Sequence, residues 1–421
     1  MDNSTLEQLR SDFESVSRTL GDGLRRRTPR LVALVAKWQK EDLVPGLSDL
    51  DFRVICDDGT SAEDWVEVDR AVGEIHLEMV REHPEWNRIN EHTAGAGLTV
   101  GEAMDGRFHN PEYAAWSVWW GEGEWYRELV RRIRRRPFDL LDEHYHLSRF
   151  LGYYSPYIQG IDPPINLGRF EPKYPLHSRC WHYFAPPMLS AASLLARRNL
   201  SGKRRGLGWL HEAGHAKAAV EAVLHQVDSQ YETRELGDPG RLGEFEDFLF
   251  TAFTELRDPV RESVRHLPLP PTSDPGVLKR SLTAMVSDPL STLIENVRFV
   301  RIRAGRYHFY VNAPRHFEVQ ELMAIELKWA RRLNHGIFSS IRAILEEGGL
   351  GPAECLRRLE IEVDPVQAEA MEFMADLSSR TPQDPDLRQL FQEAVGRFPH
   401  YYRLLEQSLT RSLERVSHGS A

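Results

Sequence analysis

The segment Ser48-Asp49-Leu50-Asp51-Phe52-Arg53-Val54-Ile55-Cys56 constrains the fold more than any other part of the chain. Its apolar and polar residues alternate with the period of a strand. Asp57-Asp58-Gly59 supplies a turn behind it, and Ser61 with Asp64 reads as a capping box that starts a helix. An amphipathic helix follows to about His83 and stops at Pro84. A strand, a turn and a helix in that order need a sheet with helical cover, so the N-terminal part is read as α+β.

Most of the remainder reads as helix. Residues 4–40 are predicted helical, with Leu31, Val32, Leu34, Val35 and Trp38 at helical spacing. Further strands are expected at Asn87–His92 and Ala114–Trp120, and a β-hairpin at Val297–Val311 around Ala304-Gly305. Tyr153–Pro187 reads as irregular, and the proline-rich stretch His266–Pro275 as a linker. The expected organisation is a small mixed-sheet domain over 1–125, a helical domain over 126–268 and a mostly helical C-terminal domain over 276–421.

Composition narrows the function classes. Acidic residues number 63 against 53 basic ones, a formal charge of -10. Such a chain attracts extended nucleic acid poorly, because non-specific affinity comes from neutralising phosphates. The three cysteines, Cys56, Cys180 and Cys355, lie far apart and form no CxxC pair, so neither a zinc ribbon nor a disulfide framework is expected. The N-terminus is polar and no run of about eighteen apolar residues occurs, so no membrane span is expected and the cytoplasm is the predicted address. No P-loop, GxSxG or dinucleotide fingerprint is present.

The chemistry concentrates at Asp49 and Asp51. At positions i and i+2 of a strand, two side chains project from one face. Carboxylates that close repel one another, and a divalent cation is a common reason to keep both ionised. Magnesium takes one or two carboxylates together with substrate phosphates, which suits this spacing.

Pro45-Gly46-Leu47-Ser48-Asp49-Leu50-Asp51-Phe52, between a helix and a capped helix, resembles the SDxD strand of the polymerase-beta-like nucleotidyltransferase superfamily. The likeness covers residues 25–120. It implies a small mixed sheet, an Mg2+ pair held by Asp49 and Asp51 with a third carboxylate, and transfer of a nucleotidyl group from a nucleoside triphosphate to a small acceptor. Glu91 is the expected third ligand or base, ahead of Asp105, and Ser48 belongs to the implied substrate-binding set. The family places a Gly-Ser pair about eleven residues before the Ser-Asp; here Lys37 and Trp38 stand there. Lys37 brings charge for a phosphate, whereas Trp38 crowds a position that needs close backbone approach. The resemblance also lets a lysine of an appended helix, here Lys217, reach the triphosphate. Without the Gly-Ser cradle, a non-catalytic binding or regulatory relative is the alternative.

His211-Glu212-Ala213-Gly214-His215 is a literal HExxH, which on a helix sets two zinc ligands on one face with Glu212 as base of a metallopeptidase. Lys217 follows closely, and the metzincin extension is missing, with Ala218 and Glu221 at its places. Ala213, Ala216, Ala219, Val220, Val223, Leu224 and Val227 form an apolar stripe, so a packed helix without zinc at His211 and His215 is expected. Arg131, Arg132, Arg134, Arg135 and Arg136 before Pro137 suit a helix C-terminus, though five guanidiniums exceed what a cap requires. Trp116, Trp119, Trp120, Trp125 and Tyr126 are read as core or as a wall for a planar ligand. Glu143-His144-Tyr145-His146 supplies acid–base groups without evident partners.

Overall fold

Pro29 divides what periodicity alone reads as one helix. A computed structural model describes the chain except residues 1–2, 45–47, 88, 91, 106–109, 159–175, 234–238, 285–287, 315–318, 382–383, 385 and 420–421. Helix α1 (Asn3–Arg27) ends before Thr28-Pro29, and Leu31–Ala36 is strand β1, not helix. A proline restricts the residue before it to extended backbone, and the short run LVALVA is buried on both faces, which suits an interior strand. β2 (Phe52–Cys56) pairs antiparallel with β1, placing Leu34 opposite Val54 and Ala36 opposite Phe52.

The expected turn and cap follow β2. Gly59 donates its N–H to Asp57 Oδ1 at 2.9 Å, and the capping box closes with Ser61 N on Asp64 Oδ2 (2.9 Å) and Asp64 N on Ser61 Oγ (3.1 Å). Helix α2 (Ala62–Glu82) then returns the chain to β3 (Ala96–Thr99), which lies parallel to β2. β4 (Ser117–Gly121) pairs antiparallel with β1, giving a mixed sheet of order β3-β2-β1-β4. A 3-10 turn, Pro84–Trp86, precedes the strand expected over residues 87–92; residues 88 and 91 lie outside the described residues, and the others are in no strand. Residues 114–115 belong to a second such turn, Pro111–Ala115, so β4 starts later than expected.

The rest is helical: α3 (Val100–Met104), α4 (Glu124–Arg135), α5 (Leu140–Ile158), α6 (Leu176–Ala196), α7 (Lys203–Glu212), α8 (Lys217–Thr233), α9 (Pro239–Ser263), α10 (Pro275–Ala284), α11 (Pro289–Val300), α12 (Arg303–Asn312), α13 (Val319–Leu345), α14 (Pro352–Arg358), α15 (Pro365–Ser379) and α16 (Leu387–Gly419). Residues 159–175 of the expected irregular stretch lie outside the described residues, and its two ends are helical. The stretch from Val264 to Asp274 is non-helical, as expected of a linker, yet it is held. The buried Glu143 carboxylate accepts the N–H groups of Arg265 (2.9 Å), His266 (2.8 Å) and Leu267 (3.2 Å).

Three apolar clusters organise the described residues. One joins α1, α2 and one face of the sheet (Leu34, Ala36, Val54) to the C-terminal helices through Tyr307, Phe391 and Tyr402. The first and last segments of the chain therefore share a core. A second covers the opposite face of the sheet with Ala33, Val35, Ile55, Leu129 and Ile133. The third lies within the middle helices, α5 to α10.

The expected hairpin at 297–311 is two helices, α11 and α12. Its Ala304-Gly305 serves helix packing rather than a turn. A Cβ on Gly305 would stand 2.3 Å from the Asp69 carbonyl oxygen, and one on Gly73 would stand 2.6 Å from the Gly305 carbonyl oxygen. Only two glycines allow α2 and α12 to cross this closely. Buried ion pairs fasten the same region: Arg301 to Glu102 (2.6 Å) and Glu406 (2.8 Å), and Glu326 to Arg303 (2.6 Å) and Arg306 (3.0 Å). Among the described residues no helix is long and apolar enough to cross a membrane.

Candidate active site

The chain approaches β2 in extended form, with Leu50 buried in the core and its N–H donated to the Ile89 carbonyl at 3.1 Å. Its half-buried neighbours Asp49 and Asp51 lie on the opposite side. The Asp51 carbonyl accepts the N–H of Lys37 at 3.1 Å, so Lys37 and Trp38 at the end of β1 stand beside the aspartates.

Cations gather around this pair. Burial would raise the Asp51 carboxyl, but Lys37, Arg53, His92 and Arg306 together hold it well below the ordinary carboxylate range. His92 Nδ1 lies 2.9 Å from the Tyr310 hydroxyl, and Arg306 donates to that hydroxyl at 2.9 Å and to the Thr93 carbonyl at 3.3 Å. Helix α12 thus presents a guanidinium to the acidic entry of β2.

The middle helices contribute Lys203, only 1% exposed. Its ammonium sits 4.3 Å from the Trp38 ring centre and 5.4 Å from that of Trp181. Burial lowers it to about 8, against the pull of Asp42, Asp49 and Asp51. The side chain is placed from a distance in sequence. Asp42, buried at a 3-10 turn (Lys40–Asp42), accepts the N–H groups of Lys203 (2.8 Å) and Arg204 (2.9 Å) and so caps α7. Gly202 makes that approach possible, with φ of 105° and a Cβ position 2.9 Å from Asp42 Oδ2.

Trp38 lies beneath three cations, since Lys37 and Arg149 also lie 5.4 Å from its ring centre. Its carbonyl accepts from Ser117 Oγ at 2.5 Å. Glu112 completes the site. It accepts from Arg53 at 3.1 Å and from the Trp116 indole at 3.3 Å, with Lys37 3.8 Å away. Burial opposes its charge, but Lys37, Arg53 and Arg149 hold it down at about 2.

Of the residues singled out from sequence, Asp49, Asp51 and Lys37 are brought together. Ser48 is buried beside them, with its hydroxyl oxygen accepting the Val44 N–H at 2.9 Å. Glu91 lies outside the described residues. Lys217 is exposed on α8, 3.9 Å from Glu221. Lys203, Arg149, Arg306 and Glu112 carry no sequence signal of their own. Only the fold gathers them.

The aspartates suit a magnesium ion by donor chemistry: two oxygen ligands, one held firmly ionised, with cations behind them for substrate phosphates. Among the described residues no group of three His, Cys, Asp or Glu side chains is poised for a metal, and Glu91, the expected third ligand, is outside them.

The HExxH string does not lie on one helix, contrary to the uninterrupted helix expected. Helix α7 stops at Glu212, with Gly214 at φ 77° and bonds from Gly214 N to His211 O (3.1 Å) and His215 N to Leu210 O (2.8 Å). This is a Schellman ending, and Gly214 is its left-handed residue. The imidazoles lose the shared face that zinc needs. His211 is 2.6 Å from Glu221, and His215 stacks on Trp209 at 6.2 Å. Of the expected stripe, Ala216, Ala219, Val220 and Val223 are buried and Leu224 is half-buried, whereas Ala213 is exposed just past the end of α7.

No known family matches the chain, and neither does any curated protein or solved structure.

Proposed function

We propose that the Asp49–Asp51 pair and the cations around it form a nucleotidyl-transfer site for a nucleoside triphosphate and a small-molecule acceptor. The observation that carries the reading is the setting of this pair. It stands at the start of β2 in a four-stranded mixed sheet, facing Lys37 from β1 and the buried Lys203 from α7. Asp49 and Asp51 would hold Mg2+, which when bound supplies Lewis acidity at the α-phosphate and lowers the pKa of the attacking hydroxyl.

The chain's own residues do the positioning. Trp38 blocks the close backbone approach of a Gly-Ser cradle, so phosphate contacts pass to side-chain cations: Lys203 and Arg149 flank the Trp38 ring, and Lys37 stands beside Asp51. Arg53 is committed to Glu112, and Arg306 to Glu326, so both act on the site through their field. Calorimetry with ATP, CTP, GTP and UTP, with and without Mg2+, tests the reading. Mg2+-dependent binding of at least one of them, lost in the paired variant Asp49→Ala with Asp51→Ala, is expected; no binding of any sinks it.

A second reading is favoured by the same cations. Lys37, Arg53, His92 and Arg306 already keep Asp51 ionised without a metal, which suits a protein that binds a nucleotide and transfers nothing. Pyrophosphate release with an acceptor pool, abolished by Asp51→Ala, decides for catalysis; nucleotide binding without any release decides for the binding protein.

A further inference from the structure

The arginine run at the end of α4 is only partly used by ion pairs. Arg131 and Arg132 pair with Glu128 of their own helix, and Arg136 pairs with Asp139 and, at 3.2 Å, with Asp142. Arg134 lines an open cleft of about 840 Å3 between α4, the α6–α7 connection and α7. Five arginines line that cleft, at positions 134, 136, 197, 198 and 205, against the single carboxylate of Glu212. In a chain of net charge -10 that is a pronounced local reversal.

The five are not equivalent. Arg197 occupies the left-handed position that ends α6, with φ of 52°, where glycine is the cheaper residue. Its guanidinium explains the exception: it donates to Glu143 at 2.6 Å and to the carbonyls of Ser263 (2.8 Å) and Phe138 (3.3 Å). Arg197 and Arg136 therefore build the wall. The Nη1 of Arg136 is buried there with no hydrogen-bond partner. Arg134 and Arg198 are exposed and pair with no carboxylate among the described residues, and Arg205 reaches only Ser201 and, at 3.5 Å, the exposed Glu41. Two guanidiniums left for solvent and a third held only at the surface, from three separate elements around one cleft, are donors of the kind that bind a phosphate dianion. Trp209, half-buried in the same wall, adds an aromatic surface.

We propose that this cleft is a second anion site, separate from the Asp49–Asp51 pair, that binds a phosphate-bearing small molecule of about nucleoside-monophosphate size. Arg134, Arg198 and Arg205 hold the phosphate, and Trp209 lies against the organic part. The volume falls within the range of small-ligand pockets. Gly208, on the α7 wall, offers a way to close the cleft without touching a charge, because a Cβ there meets no atom within 4 Å.

Calorimetric titration of the full chain with adenosine 5′-monophosphate and with pyrophosphate, without Mg2+, tests the site. Wild type and Asp51→Ala are expected to bind the monophosphate alike. The paired variant Arg198→Ala with Arg205→Ala should weaken binding by about tenfold or more. Gly208→Trp should abolish it while melting at the wild-type temperature. If Gly208→Trp fails to fold, the arginine variant decides. Absence of binding by either probe overturns the proposal, as does binding that the cleft variants leave unchanged or that only Asp51→Ala removes. None of these results depends on nucleotidyl transfer.

Discussion

Asp51 and Asp69 both belong to the N-terminal α+β region, the first half-buried and the second buried, and they are held in opposite states. Asp51, before β2, faces Lys37, Arg53, His92 and Arg306, and stays ionised well below the ordinary range despite its burial. Asp69, on α2 where it crosses α12, is 4% exposed and accepts the Gly305 N–H at 2.7 Å. Burial pushes it up to about 8, against the N–H groups of Gly305 and Ala304 and the charge of Arg303. The difference teaches that the cations facing a carboxylate can outweigh its desolvation: four face Asp51 and one faces Asp69. The surroundings of Asp51 favour a negative charge, and those of Asp69 favour a proton.

The same substitution at both positions should therefore act in opposite directions. Asp51→Asn is expected to lower Mg2+-dependent pyrophosphate release on the order of 100-fold. It should also destabilise the fold at neutral pH, since the surrounding cations lose their counter-charge. Release unchanged from wild type would remove Asp51 from the reaction. Asp69→Asn should stabilise the protein at higher pH. The folded-state pKa of Asp69 lies above its ordinary value of 3.8, so its contribution is fully present below about 4 and is lost as pH rises to about 8. A shift of that size bounds the loss at ~6 kcal/mol, from ~1.4 kcal/mol per pH unit. Melting curves of the two proteins should coincide near pH 4 and diverge up to pH 8, with the variant higher; parallel curves would show that Asp69 titrates normally.

Arg306 connects the two regions, because it faces Asp51 while paired with the fully buried Glu326. Glu326→Gln leaves Arg303 and Arg306 buried with one carboxylate fewer, and should destabilise the fold by about 3 kcal/mol. Denaturant unfolding measures this. A loss under about 1 kcal/mol would mean that the guanidiniums find other partners.

The sequence carries the local part of this architecture and little of the global part. The capping box Ser61–Asp64, the Asp57–Gly59 turn and the alternation of Phe52–Cys56 are legible because each is fixed by neighbours within a few residues. β1 escapes because Leu31, Val32, Leu34 and Val35 satisfy strand and helix periods equally, and only Pro29 separates them. β3 is four residues, AGLT, too short and too small to show a period. Gly305 misleads as a turn signal because its cause, the close approach of Gly73, lies on another helix. The site divides in the same way. Asp49, Asp51 and Lys37 lie within fifteen residues of one another and are found by spacing. Lys203, Arg149, Arg306 and Glu112 arrive through tertiary packing.

Lys203 gives the smallest expected effect and the sharpest sign. Its ammonium is buried between Trp38 and Trp181 and lowered to about 8, beneath the ordinary lysine value of 10.5. In the free protein the cost of burying that charge is present below about pH 8 and relieved between pH 8 and 10.5, so stability should rise with pH across this window. Nucleotide binding should run the other way, because a phosphate needs the ammonium charged. Affinity for the triphosphate is expected to fall above about pH 8, by about tenfold per pH unit at most. Lys203→Arg keeps the charge at every accessible pH and should flatten that fall, provided melting shows that the larger guanidinium is accommodated. Lys203→Met should weaken binding below pH 8 and leave it independent of pH above. If wild-type affinity stays level from pH 7 to pH 10, the lysine that stands nearest Trp38 does not contact the phosphates, and the cation set around Trp38 reduces to Lys37 and Arg149.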